Sequence, residues 1–138
     1  VKLVAMAARL GIHTDVFFAG EVSDVLSRLR NVDIGVLCSD REGLSNAILE
    51  YMSCGLPVVA TAVGGTPELV DGGNGICVPP GDPRALAEAL RSLVIAPEVR
   101  RSMGARTLEK TRSQFSWERN ISELQGLYQE LSPENSDL

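Results

Sequence analysis

The amino-acid sequence predicts an α/β fold in which a parallel sheet is flanked by helices. Two runs carry that reading, VDIGVLC at 32–38 and PVVAT at 57–61. Both are apolar on both faces, as strands covered on both sides must be. A helical pattern at 45–54 separates them, so a crossover joins them, and such connections are right-handed. Helical and strand-like stretches also alternate along the chain, the order of α/β architectures. No internal repeat or low-complexity linker interrupts the alternation.

Residues 1–10 read as a helix closed by Gly11, which accepts the left-handed conformation just past a helix end. DVFFA at 15–19 reads as a short strand. Residues 21–30 read as a helix, with Val22, Val25, Leu26 and Leu29 at helical spacing. After the strand at 32–38, the helix at 45–54 is stopped by Gly55. In the strand at 57–61, Pro57 takes the first position, where a missing N–H costs least. A short helix near 66–70, a turn cluster at 71–75 (DGGNG) and a brief strand at 76–78 follow. Asp82–Pro83 starts the next helix, with Asp as N-cap, Pro at the first helical position, and Leu86, Ala89, Leu90 and Leu93 on one face. An arginine-rich helix is predicted near 97–111. A last one from Ser116 carries Trp117, Ile121, Leu124, Tyr128 and Leu131 at spacings of four and three, before a frayed SPENSDL tail. The whole reads as a Rossmann-like half.

A chain of 138 residues, 44% hydrophobic, supports one domain with a real core and excludes wholesale disorder. Its net charge of −5 leaves no basic surplus to neutralise nucleic-acid phosphates. No apolar run approaches a membrane span. Cys38, Cys54 and Cys77 form no CxxC pair and His13 is the only histidine, so a structural zinc site lacks ligands. The cysteines read as small buried thiols in a reducing cytoplasm, and no signal peptide is visible. Val1 is not a start methionine and already reads as helix, so the sequence is expected to be a fragment.

The chemistry concentrates in SDREGLSNAILEYMSCG at 39–55. A loop with two acids and a glycine leaves one strand and opens a helix at Leu44–Ser45. In open parallel sheets, ligands bind at the carboxyl ends of strands. The first helical turn offers free N–H groups and the positive end of the helix dipole, a ready phosphate site. Gly43 lets a ligand approach the backbone. The helix is apolar almost all round and is expected to be largely buried. Asn46 and Glu50 are its polar exceptions, four apart and on one face. A carboxylate there needs donors, which sugar hydroxyls would supply, or else it marks a solvent-facing stripe. Glu42 brackets the other end, as a site residue or as a plain loop acid.

EGLSNAILE, with seven residues between its glutamates, joins PVVATAVGGTPELV, DGGNGICVPPGDPRALAEAL and FSWER in a fixed order. Taken together they resemble the C-terminal half of retaining GT-B glycosyltransferases of family 4 (glycosyl transferases group 1). The resemblance runs through nearly the whole chain. It implies that Glu42, Gly43 and Leu44 contact the donor sugar, Ser45 and Asn46 the diphosphate, and Glu50 the ribose. It also implies a nucleoside-diphosphate sugar as donor, no metal or other cofactor, and a glycan, lipid or small molecule as acceptor. The setting implied is cytoplasmic, with room for peripheral association at the inner membrane face. Gly64 and Gly65 match a glycine pair near the sugar, although a tight turn would use the same residues.

Two departures accompany the resemblance. Cys38 stands where the family usually carries proline. The family's basic phosphate-binding pair and its N-terminal acceptor domain, with a catalytic-site histidine, would lie upstream. Residues 1–138 are therefore expected to be a donor-binding domain without its first strands, inactive by themselves. In Rossmann order the absent strands would sit between 15–19 and 32–38, leaving apolar unpaired edges and a marginally stable chain. A non-catalytic nucleotide-sugar-binding module, a subunit of a split enzyme and a sugar-nucleotide epimerase are the alternatives. His13 reads as a surface loop residue, Glu68 as structural, and Arg100, Arg101 and Arg106 as a solvated face. The Trp117–Leu131 stripe reads equally as core packing or a docking face.

Overall fold

The structure, a computed structural model, describes residues 2–131. Along the chain run α1 (Lys2–Arg9), α2 (Val25–Leu29), β1 (Gly35–Leu37), α3 (Asn46–Ser53), β2 (Val58–Thr61), α4 (Thr66–Leu69), β3 (Gly75–Val78), α5 (Pro83–Val94), α6 (Pro97–Gln114) and α7 (Trp117–Leu131). The three strands form one parallel sheet in the order β1-β2-β3. Gly35 pairs with Val58, which in turn pairs with Gly75.

Every residue of β2 is buried, which explains its unbroken apolar run. Val58 and Ala60 pack on one face with Ile48 and Met52 of α3 and Leu69 of α4. Val59 packs on the other with Val78, and with Ala89 and Leu93 of α5. Each valine, leucine, isoleucine or methionine among them contributes roughly 1.5–3 kcal/mol by leaving water, and the alanines less. α6 packs against both α3 and α5. Its contact with the end of α3 is backbone-close, because a Cβ at Gly104 would overlap the Gly55 carbonyl.

Local signals held where a cap or stop residue set the boundary. Gly11 and Gly55 both lie at φ 70 just past α1 and α3. Behind Gly55, the Leu56 N–H donates to the Tyr51 carbonyl at 3.1 Å, closing the helix end. The Asp82 carboxylate accepts the Arg84 and Ala85 N–H groups at 3.0 and 2.9 Å. At Ser116 the hydroxyl accepts the Arg119 N–H at 3.3 Å.

Four expectations are corrected, that of three buried thiols among them, and one open alternative is decided. Residues 15–19 form no strand: the segment pairs with none of the three strands, and Phe17 is 80% exposed. The helix expected at 21–30 is α2, which starts late because Asp24 caps it by accepting the Ser27 N–H at 3.1 Å. The strand expected at 32–38 shortens to β1, so Cys38 falls in the following loop and is exposed, while Cys54 and Cys77 are half-buried. α7 has no buried residue, so its apolar stripe is not core. The expected tail at 132–138 lies outside the described residues.

Candidate functional site at the carboxyl edge of the sheet

β1 ends at Leu37, and the chain crosses the carboxyl edge of the sheet before α3 begins at Asn46. Ser45 is the N-cap, buried and extended (φ −82, ψ 115), with no side-chain hydrogen bond to the first turn. No acidic residue lies in that turn. Its N–H groups and the positive end of the helix therefore face the loop with no carboxylate from the helix's own first turn beside them.

Glu42 is half-buried at this end, while Gly43, Leu44 and Asn46 are exposed. The space a side chain would fill at Gly43 is empty, so the backbone there is open to approach. Glu50 is half-buried one turn further along, on the face it shares with Asn46. α3 is less buried than its composition implies. Only Ile48 and Met52 are fully covered, although the sheet, α4 and α6 all pack against the helix.

The glycine pair after β2 meets this loop directly. The Gly65 N–H donates to the Gly43 carbonyl at 3.0 Å. Gly64 has φ +51, and a Cβ there would overlap the Glu42 carbonyl oxygen. Only glycine combines that conformation with that approach. The structure thus brings Gly64 and Gly65 together with Glu42 and Gly43.

Two features were not visible in the sequence reading. The Thr61 hydroxyl donates to the Ser39 carbonyl at 2.6 Å, tying the end of β2 to the start of the loop. The available signal was a hydroxyl closing an otherwise apolar strand. Tyr51 lays its ring where a Gly35 side chain would sit and donates its hydroxyl to the Val36 carbonyl at 3.3 Å. Burial pushes the Tyr51 phenol upward, and the Glu50 carboxylate adds to that.

A cleft of ≈ 260 Å³ opens at this edge between Cys38, Asp40, Thr61, Pro79 and Leu86. The larger cleft, ≈ 440 Å³, lies by Arg30, Asp33, Pro57 and Arg100, at the opposite, amino edge of the strands. Two of its guanidinium groups, those of Arg100 and Arg101, are already engaged. Arg100 donates to the Leu93 and Val94 carbonyls at 2.6 and 2.7 Å, and Arg101 pairs with Glu98. Arg100 is therefore half-buried and caps α5, rather than lining a solvated face. His13 is exposed in a turn, as expected, and Glu68 is exposed in α4.

The family described as glycosyl transferases group 1 matches residues 2–95. Among curated relatives, N-acetyl-alpha-D-glucosaminyl L-malate synthase of Bacillus anthracis is 32% identical over 127 residues, 91% of this chain and 33% of that protein. D-inositol 3-phosphate glycosyltransferase of Corynebacterium jeikeium is 36% identical over 135 residues, 96% of this chain and 32% of that protein. The chain thus spans about a third of the length of these relatives.

Among solved structures, sucrose-phosphate synthase of Thermosynechococcus elongatus superposes with a TM-score of 0.87 at 28% identity, covering 94% of this chain and 33% of that one. Anabaena Alr3699/HepE in complex with UDP gives 0.85 at 27% identity, covering 95% and 36%, and it is also solved with UDP-glucose. The C-terminal domain of the group 1 protein LpcC from Francisella tularensis gives 0.76 at 27%, covering 84% and 62%. The fold is that of GT-B glycosyltransferases, and the chain belongs to the glycosyl transferases group 1 family.

Proposed function

We propose that residues 1–138 are the donor-binding part of a retaining, family 4 glycosyltransferase, which moves a sugar from a nucleoside diphosphate to an acceptor. One observation carries the reading. The Glu42–Gly43 loop, the acid-free N-terminus of α3 and the Gly64–Gly65 pair converge at the carboxyl edge of the sheet. The relative solved with UDP and with UDP-glucose supports it.

In this reading Glu42, Gly43 and Leu44 hold the sugar, with Gly64 and Gly65 closing the loop around it. Glu50 accepts hydrogen bonds from the ribose hydroxyls. The amides around Ser45 and Asn46 face the diphosphate. When the sugar–oxygen bond breaks, its electron pair passes to the β-phosphate, and the α3 N-terminus stabilises the charge that develops there. The donor's charge is met by amides and basic side chains, without a metal.

Residues 1–138 form part of a C-terminal domain, and a separate N-terminal domain supplies the acceptor site for a glycan, lipid or small molecule. The solved LpcC C-terminal domain, of which this chain covers 62%, supports the first half of that statement. The enzyme works in the cytoplasm. Among the described residues, no helix is long and apolar enough to cross a membrane.

The test is donor binding by the full-length gene product. Charge-assisted hydrogen bonds of this kind are worth about ten- to a hundredfold in affinity. Glu50→Gln should weaken free nucleotide and nucleotide-sugar alike by about that factor. Glu42→Gln should weaken the nucleotide-sugar and spare the free nucleotide. Unchanged affinities in calorimetric titration remove these residues from the site. The anomeric configuration of the product, read by NMR, decides the retaining mechanism.

A further inference from the structure

We infer that Thr61 is a positioning residue for this site, acting through the loop that carries Glu42; the inference rests on the donor-site reading above. Thr61 ends β2 and is 6% exposed. A hydroxyl in a strand buried on both faces needs a partner, and it finds one in the Ser39 carbonyl at 2.6 Å.

Ser39 begins the loop that reaches Glu42 three residues later. The far end of the loop is held by the Gly65 N–H on the Gly43 carbonyl at 3.0 Å. Between those ties, Gly64 packs its bare α-carbon against the Glu42 carbonyl. The bracing segment is itself fastened to the sheet, since the Ala62 N–H donates to the Val78 carbonyl at 2.8 Å.

No hydrogen bond or ion pair to the Glu42 carboxylate is found among the described residues. The carboxylate is therefore only as well placed as its backbone. That backbone is located by two hydrogen bonds, one from the Thr61 side chain at the end of β2 and one from the Gly65 main chain beyond it. The side-chain tie is the one that substitution can remove cleanly. Thr61→Val keeps the shape and loses the donor, whereas Thr61→Ser keeps the donor.

The experiment uses the full-length gene product, titrated calorimetrically with UDP-, GDP- and ADP-glucose and with each free nucleotide. For the pair that wild type binds, Thr61→Val should weaken the nucleotide-sugar about tenfold, from a lost hydrogen bond, and the free nucleotide by less than about twofold. Thr61→Ser should restore wild-type binding. Adding Glu42→Gln to Thr61→Val should cost little more than either alone, because both act through one contact.

An unchanged nucleotide-sugar affinity in Thr61→Val overturns the inference. So does an equal loss for sugar-bearing and free nucleotide, which marks a merely structural residue. If Thr61→Val does not fold, Thr61→Ala takes its place, and failure of both to fold makes Thr61 a fold determinant and overturns the positioning role. Wild type that binds none of the nucleotides overturns the donor-site reading itself, and the inference with it.

Discussion

Asp71 sits in the turn between α4 and β3, and its carboxylate has two partners. One oxygen accepts the Gly73 N–H at 2.7 Å, and the other accepts Lys110 of α6 at 2.8 Å. The Lys110 hydrogen bond first, then the Gly73 amide, holds the carboxyl below the ordinary aspartate value of 3.8. A lowered folded-state pKa adds stability above the unfolded value, and that stability is lost as pH falls through the folded one. The side chain is 55% exposed, so the ion pair is discounted for screening. Asp71→Asn should then cost about 1 kcal/mol near neutral pH, shrinking below pH 3.8, as read by urea denaturation of the full-length protein at several pH values. The residues 71–75 were legible as a turn. That Asn74 is buried, its side-chain amide donating to the Leu69 carbonyl at 2.9 Å and accepting the Asp71 N–H at 2.8 Å, was not. Arg100 is a similar case, an arginine in a polar stretch whose partners are two carbonyls at the end of another helix. Such partners lie outside any local pattern.

Helices capped by their own neighbours were legible to within a residue or two. α5 runs Pro83–Val94 because Asp82 and Pro83 specify its start locally. Asp82→Ala should remove about 1 kcal/mol from the full-length protein in chemical denaturation. Asp82→Asn, which keeps an acceptor, should lose less. α3 was equally readable as a helix, but its degree of burial was not, because composition does not say which faces its neighbours cover. The strands show the opposite balance. β2 was legible from its apolar run, and it is the strand with a partner on both sides. The apolar segment 15–19 has the composition of a strand and no ladder among the described residues, and it is not one. Strand propensity describes a surface that fits a sheet; pairing needs the sheet to be there.

Across the whole molecule, the apolar surface left uncovered is concentrated at its amino-terminal side and on α7. Leu3, Leu10, Phe17 and Phe18 are exposed, as are Trp117, Tyr128 and Leu131. The outer edge of β1 pairs with no strand among the described residues. Such edges and patches favour association. Residues 1–138 produced by themselves should form associated species in light scattering and melt without a sharp transition. A monomer with a cooperative thermal transition would contradict this. By itself the sequence determined the α/β class and most helix boundaries, because caps, glycine stops and apolar periodicity act over a few residues, and it nominated Glu42–Asn46, Glu50 and the Gly64–Gly65 pair as candidates. Tertiary structure alone decided that Gly64 meets Glu42 and that Thr61 meets Ser39, contacts 22 residues apart. Those meetings follow from the parallel register of β1 on β2, which aligns the two strand ends and so sets the site's geometry.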